Sequence, residues 1–579
     1  MSLKLAPTPS GPEPEIAFRP AGVSPRYKWL VLSNTTVGIL LATIDSSIML
    51  IALPDIFRGI NLSPLEPSNT FYLLWLILGF QIVSSVLVVS FGRLGDIFGR
   101  VRMYNLGFVI YTVSSLVLTL DPLSARAGAM WLVIGRIFQG IGAAFLTGNS
   151  GAMLTDAFPP NQRGLALGIS NVVGISGSFI GLILGGLLAA IDWRLVFLVS
   201  VPFGVFGTIW SYLKLRDLGQ RHHARIDWAG NASFAAGLVL VMVGITYGIQ
   251  PADGHDMGWT SAPVLALLGT GLACLAAFGV VETKVKNPMF RLNLFKIRPF
   301  TFGTLSTLLS AIGRGGLMFM LIIWLQGIWL PLHGYSFAQT PLWAGIFMLP
   351  LTAGFLIAGP VCGFLSDRLG ARYFATGGML VATGSFLLLL LLPIDFSYPG
   401  FAVILLLNGL SMGAFAAPNR AAIMNSLPAA DRGAGGGMNA TFQSAAQVLS
   451  IGIFFTLMIN GLAATLSNTL TQGLIQHGVA ASVAARIGGL PPVSILFAAF
   501  LGYNPIQTLA GPAVLGQLSE VNRQAVTGGT FFPHLIAAPF HAGLAEAFIF
   551  ASLMCLIAAA ASWTRGGRFI HDDKITPAE

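Results

Sequence analysis

The sequence predicts an all-α membrane protein: fourteen transmembrane helices, set out as two pseudo-symmetric six-helix bundles with a two-helix insert between them. Three observations carry this. Of 579 residues, 55% are hydrophobic and 9% charged, against roughly 25% charged in soluble domains, so too few charges remain to coat a water-exposed surface. The apolar runs are long enough to cross a bilayer, which takes about 20 residues per helix. One charged loop also occurs twice, as Gly92-Arg93-Leu94-Gly95-Asp96-Ile97-Phe98-Gly99-Arg100-Val101-Arg102 and as Gly363-Phe364-Leu365-Ser366-Asp367-Arg368-Leu369-Gly370-Ala371-Arg372. A duplicated charged hinge between apolar runs points to two similar halves that rock against each other, as transporters do.

Taken in order, residues 1–27 hold Pro7, Pro9, Pro12, Pro14, Pro20 and Pro25 and read as a disordered cytoplasmic tail. Without an apolar stretch this tail is no cleavable signal. Apolar runs at about 29–55, 70–91, 102–121, 130–155, 163–190 and 194–213 make the first bundle, 28–215. Runs near 229–249 and 261–282 are the insert, within a linker spanning 216–298. Runs near 299–330, 340–364, 372–393, 399–427, 433–466 and 541–563 make the second bundle, 299–564, and 565–579 is a second cytoplasmic tail. Segment 467–540 falls between the last two runs, on the outer side. Its most apolar part, 492–502, is too short to cross, so it reads as amphipathic or re-entrant pieces on the outer membrane face, or as a plain variable loop.

Fourteen is even, so both termini share a side. Of 31 Lys and Arg, 23 lie in the tails and the loops on that side and five in the opposite loops, which places the termini in the cytoplasm of a cell-membrane protein. The net charge of +9 is thereby a topology signal, and nucleic-acid binding is set aside. Cys274, Cys362 and Cys555 fall in apolar runs, which argues against a disulfide framework or a metal site.

The duplication goes beyond the loops. Pro159, Arg163, Gly164 and Gly168 recur 269 positions on as Pro428, Arg432, Gly433 and Gly437, and Gly140 recurs as Gly409.

Charges inside spans are the candidate working parts. Asp45 lies 17 residues past Lys28, about 25 Å along a helix, beyond reach of cytoplasmic water. A carboxylate there is costly and can carry a proton, or it is a constitutively paired residue that only ties helices together. Arg136 sits at comparable depth in the fourth run and is either its partner or a residue snorkelling to the outer headgroups. Arg314 lies 269 positions after Asp45, where the pseudo-twofold sets it across a shared cavity. It either pairs with Asp45 or attracts an anionic or zwitterionic substrate. Asp96 and Asp367 read as hinge residues that satisfy neighbouring helix ends. Gly92, Gly99, Gly363 and Gly370 allow close backbone approach, and Arg100 with Asp156 reads as a latch. Polar residues Asn34, Gln81, Asn149, Asn171, Gln326, Asn408, Asn419, Gln443 and Gln447 also fall in spans, without a signal to say which face a cavity.

These residues resemble the major facilitator superfamily, and more narrowly its fourteen-span drug:proton antiporter branch. The Gly92–Arg102 loop is similar to the superfamily's signature loop. Asp45-Ser46-Ser47-Ile48-Met49-Leu50-Ile51-Ala52-Leu53-Pro54 is similar to the branch's first-span motif, with Leu50 in place of its usual Asn. Gly135-Arg136-Ile137-Phe138-Gln139-Gly140 is similar to its intramembrane arginine motif. Gly168, Gly177, Gly181, Gly185 and Gly186 follow its antiporter motif, with Leu182 where that motif has Pro, which removes a helix kink. The resemblance covers nearly all of 28–564. It implies a proton-coupled exporter of hydrophobic or amphipathic small molecules, of the multidrug-efflux type, working by alternating access. It also implies a central cavity lined by the spans of Asp45 and Arg136, with Asp45 the coupling acid. The antiporter glycines are then either packing residues or a seal against proton leak. No cofactor is expected, because the proton gradient drives the cycle, and the fold needs no second copy, so a monomer in membrane lipid is expected. The alternatives are an exporter of lipid-like metabolites, for which 467–540 is the clue, and more distantly a membrane-embedded enzyme. The enzyme reading has neither an HExxH pair nor a nucleotide loop to stand on.

Overall fold

The computed structural model describes residues 26–159, 162–217, 227–252, 254–255, 257–285, 288, 290–428, 432–502 and 504–566; of the tails expected at 1–27 and 565–579, residues 1–25 and 567–579 lie outside them. Among the described residues, fourteen helices are long and apolar enough to cross a membrane. The β-structure there is limited to an isolated bridge between Ala252 and His255. The protein is an all-α, multi-pass membrane protein. Apolar side chains left exposed, such as Val113, Phe206, Leu272 and Leu387, belong on faces that meet lipid, where exposure costs nothing.

The first six spans are Tyr27–Gly59, Thr70–Phe98, Arg100–Thr119, Ala125–Ala157, Leu165–Ala189 and Leu195–Lys214. The first packs on the fifth and fourth, the second and third on the fourth, and the third on the sixth span's helix. The last six are Arg298–Leu332, Thr340–Ser366, Ala371–Leu390, Tyr398–Asn425, Ala434–Gln476 and Phe531–Thr564. They repeat the pattern: the tenth and eleventh pack on the twelfth, and the ninth on the twelfth, thirteenth and fourteenth. The seventh and eighth, Ala229–Gly248 and Ala262–Lys284, pack on each other, and the seventh also leans on the second and thirteenth.

Glycine sets two of these junctions. Gly99 (φ +105°) alone separates the second span from the third, and Gly370 (φ +94°) alone separates the helix Leu349–Leu369, which continues the tenth span, from the eleventh. A reversal in one residue needs positive φ, which only glycine enters freely. Glycine also sets helix spacing: a Cβ on Gly140 would stand 2.8 Å from Phe80 O, and one on its repeat counterpart Gly409 would overlap Leu351 O.

The two groups of six meet at the end away from the termini. There a Cβ on Gly186 would lie 2.7 Å from Leu342 N, and one on Gly345 3.1 Å from Leu182 O. Ile51, Ala52 and Leu53 of the first span are fully buried at that end.

The region 467–540 differs from a peripheral loop. The thirteenth helix continues to Gln476 and the fourteenth starts at Phe531, so both extend beyond the apolar cores that hydropathy marks. Between them lie helices Ala481–Gly488, Pro492–Phe500, Pro505–Leu515 and Glu520–Thr527. The first two are bent by 86°. Every residue of Pro492–Phe500 is buried, against the ninth, thirteenth and second spans. Its side chains Val493, Leu496, Phe497 and Phe500 are thus covered by protein and not by the membrane surface. The ninth span beside it is not a regular α-helix: it passes through a π-helical turn at Leu325–Trp329, and a Cβ on Gly327 in that turn would be 3.1 Å from Ala499 O.

Candidate functional site

Asp45 sits halfway along the first span with its side chain 0% exposed, and Arg136 of the fourth span is 1% exposed. Both project into the gap between first, second and fourth spans. Arg136 Nη1 donates to Asp45 Oδ2, forming a buried ion pair. The same guanidinium donates from Nη1 to Gln139 Oε1 (2.7 Å) and from Nε to Leu76 O (3.2 Å), and it lies 4.4 Å over the Phe80 ring. Gln139 closes the circuit: its Nε2 donates to Asp45 Oδ1 (3.0 Å) and to Ser115 Oγ (2.9 Å) of the third span. Ser115 donates on to Tyr111 O at 2.9 Å. Four spans therefore converge on one carboxylate. Removing two charges from water is expensive, and a pair is tolerated only when its remaining donors and acceptors are also satisfied; here three neutral acceptors or donors do that. The arrangement can hold a carboxylate charged, and it leaves Arg136 two neutral acceptors if the carboxylate takes a proton.

The fifth span holds this site from the other side. A Cβ on Gly177 would overlap Thr43 Oγ1, one on Gly181 would overlap Ser47 Oγ and Ile44 O, and one on Gly185 would stand 2.8 Å from Ile48 O. These contacts run from Thr43 to Ile48, on either side of Asp45. Gly186 faces the tenth span instead, and around Gly168 there is open space.

Arg314 is not beside Asp45. Its Nη2 donates to Asn408 Oδ1 (2.9 Å) and Asn408 O (3.1 Å), and its Nη1 to Ser411 Oγ (3.5 Å). Asn408 Nδ2 in turn donates to Ser385 Oγ at 2.8 Å. The repeat offset therefore puts Arg314 at the matching place within its own group of helices, not in contact across the middle. Between the groups, Arg420 Nη1 donates to Asn171 Oδ1 at 2.6 Å, joining twelfth and fifth spans toward the terminal end.

At the first charged loop, Arg100 Nη1 meets Asp156 Oδ2 at 2.5 Å and Arg100 Nη2 meets Asp96 Oδ1 at 2.8 Å. The latch partners are thus together, joining the second–third junction to the end of the fourth span. Asp96 does not cap the third helix, which has no side-chain cap; it holds Arg100 instead. A Cβ on Gly92 would be 3.2 Å from Gly148 O, and one on Gly363 3.6 Å from Ala417 Cβ. Asp367 lies in the helix Leu349–Leu369, and its side chain is outside the described part of the structure.

Gln139, Ser115, Asn408 and Ser385 carry the two polar clusters, and sequence patterning alone does not distinguish them from other polar residues in spans. The one usable signal is the repeat: Gln139 and Asn408 are themselves 269 positions apart. Among the described residues, no group of three His, Cys, Asp or Glu is placed to hold a metal.

Comparison with known proteins agrees with this architecture. The family model described as Major Facilitator Superfamily matches residues 35–451. The chain is 27% identical to the tetracenomycin C resistance and export protein of Streptomyces glaucescens, over 97% of this chain and 95% of that protein. It is 28% identical to the riboflavin transporter RibZ of Clostridioides difficile, over 76% of this chain and 90% of that protein. It is 29% identical to the methyl viologen resistance protein SmvA of Salmonella typhimurium, over 76% and 84% respectively. Among solved structures, the inward-facing, unoccupied form of a bacterial homologue of the human lysosomal transporter Spinster shares the fold, with a TM-score of 0.53 at 15% identity over 96% of this chain and 100% of that one.

Proposed function

The chain belongs to the Major Facilitator Superfamily, and from that premise we propose that it exports hydrophobic or amphipathic small molecules by alternating access, driven by protons that load and leave Asp45. The observation that carries the reading is the Asp45–Arg136–Gln139 cluster: an acid with no solvent contact, held by one cation and one amide, at the junction of four spans. An ionisable group kept inside the membrane at such cost is a functional candidate by default.

In this reading the cycle follows from charge. With Asp45 ionised, its pair with Arg136 ties the first span to the fourth. A proton arriving on the carboxylate removes the anion, and Arg136 is left with Leu76 O and the Gln139 amide. The fourth span is then free of its strongest tether to the first. The first span carries the change to the fifth, because Gly177, Gly181 and Gly185 leave no slack between them. Loss of the proton restores the pair. Substrate exchange is linked to this step through the two conformations, each favoured by one protonation state. The termini belong in the cytoplasm by the 23-to-5 distribution of basic residues, and the two groups then meet on the outer side through Gly186 and Gly345 and on the cytoplasmic side through Arg420 and Asn171. Efflux as the direction, and a broad substrate range, draw on the resistance and export proteins among the relatives.

A second reading, export of lipid-like metabolites, is favoured by the wholly buried apolar helix Pro492–Phe500 beside the ninth span. Reconstitution into liposomes with an imposed pH gradient tests both. Gradient-driven movement of amphipathic dyes is expected from the wild type and lost in Asp45→Asn, with the variant still eluting as a folded monomer. Full gradient-driven transport by Asp45→Asn would defeat the coupling role, and transport of lipid analogues alone would select the second reading.

A further inference from the structure

We infer that Arg314 is the binding point for an anionic group, so that the preferred cargo is an amphipathic molecule bearing a negative charge. This rests on the transport reading and names its substrate class.

The argument comes from the duplication. Asp45 and Arg314 occupy equivalent positions, as do Gln139 and Asn408, each pair 269 residues apart. The bonding around them is similar, with serines 270 positions apart. Gln139 donates to Ser115 of the third span, and Asn408 donates to Ser385 of the eleventh. The charges are not duplicated. In the first group the acid Asp45 is balanced by Arg136. In the second, an arginine stands in the acid's place, and the position equivalent to Arg136 is Leu405, fully buried. Arg314 gives its hydrogen bonds to neutral oxygens only: the side chain and main chain of Asn408, and Ser411 Oγ. Among the described residues no carboxylate is in ion-pair range of it.

A guanidinium inside a membrane protein without a counter-ion costs several kcal/mol. Replacement of the arginine or addition of an acid would remove that cost, as the first group does. Arg314 is neither fully exposed nor sealed off as a residue, and the N–H groups not used by Asn408 and Ser411 are the ones assigned to the ligand. Its five N–H donors in a planar fork suit a carboxylate, sulfonate or phenolate. Asn408 and Ser411 fix the fork from behind, leaving donors to spare. The first group therefore handles the proton and the second the cargo's charge.

The test uses two ions with the same twelve-carbon chain and opposite charge, dodecyl sulfonate and dodecyltrimethylammonium. Equilibrium binding is measured on the full chain in nanodiscs, with empty discs subtracted and no pH gradient. The wild type should bind the sulfonate at least about tenfold more tightly, the gain of one charge-assisted contact. Arg314→Gln should erase the preference, and Arg314→Lys should keep part of it. Asn408→Asp, which puts a carboxylate against the guanidinium, should erase it as well and serves if Arg314→Gln does not fold. Equal affinity of the wild type for the two ions, binding of neither, or an undiminished preference in either neutralised variant overturns the assignment. Because no gradient is applied, failure of proton coupling cannot produce these results; it would show only in the transport assay.

Discussion

Replacing Arg136 with methionine tests the buried ion pair most directly. Methionine keeps much of the stem volume and removes the charge. Asp45 Oδ2 then loses its donor, and the carboxylate keeps only Gln139 Nε2 at 3.0 Å. Gln139 Oε1 loses its donor too, while Leu76 O falls back on its own helix's N–H. Stranding one member of a buried pair costs about 3–5 kcal/mol, and each orphaned acceptor costs about 1–3 kcal/mol before relaxation. These losses overlap at one spot, so we expect Arg136→Met to destabilise by about 4–5 kcal/mol. The double variant Asp45→Asn/Arg136→Met has no charge to strand, and its asparagine can still accept from Gln139. It should recover about 2–3 kcal/mol, a coupling typical of residues in direct contact. Equilibrium unfolding of purified protein in mixed micelles reads this as a midpoint that drops in the single variant and partly returns in the double. A double variant no more stable than Arg136→Met would refute the reasoning, because it would mean that the charge on Asp45 does not feel Arg136.

Other substitutions probe the frame around that pair. Gly181→Val should abolish tight packing of the fifth span on the first, since even a Cβ overlaps Ile44 O and Ser47 Oγ; the check is yield of monodisperse protein, with Gly168→Val, in open space, as the tolerated control. Gly370→Ala meets no neighbour within 4 Å, so its expected loss of about 1–2 kcal/mol is all backbone strain at positive φ, whereas Gly363→Ala should be close to neutral in the same unfolding assay. Phe497→Ala in the inserted helix should cost about 3–5 kcal/mol and expose the 480–530 region to proteolysis, because Phe497 is buried against Phe455. Burial raises the Asp121 carboxyl above the ordinary value, against the Leu123 N–H and Arg194. Its contribution to stability is therefore full below the ordinary carboxylate pKa and is lost as pH rises through the raised one. Asp121→Asn should gain on the wild type between acidic and neutral pH, and a gap that stays constant with pH would count against it.

The spans were legible in the sequence because each is a long apolar run, and fourteen of them leave few alternatives. Their true lengths were not. Leu466, Leu470 and Leu474 keep the thirteenth helix going by burying one face, while exposed residues such as Asn468 and Gln472 on the other lower the hydropathy that marks a crossing. Pro492–Phe500 was visible as apolar but not as internal, since burial between the ninth and thirteenth spans is a tertiary fact. Asp45 and Arg136 stood out because charges in apolar runs are rare and their depths agree. Gln139 and Ser115 did not, because an uncharged polar side chain in a span looks the same whether it serves a carboxylate or a neighbouring carbonyl. Arg314 bonds to Asn408 and Ser411 of its own group and not to Asp45: a repeat preserves a residue's surroundings within its own copy, and contact across copies does not follow from it.

The wide turn at Leu325–Trp329 has its own consequence. A π-turn is one surplus residue stored in a helix, and such a surplus can be passed along the coil, turning the stretch it crosses by roughly 100° per residue while both ends stay pinned. The ninth span carries Arg314 below this turn and meets the inserted Pro492–Phe500 helix at it, so migration of that surplus would twist the far-end wall relative to the guanidinium below it. One helix would then change the face it shows its neighbours by rotation in place, with neither end having to travel.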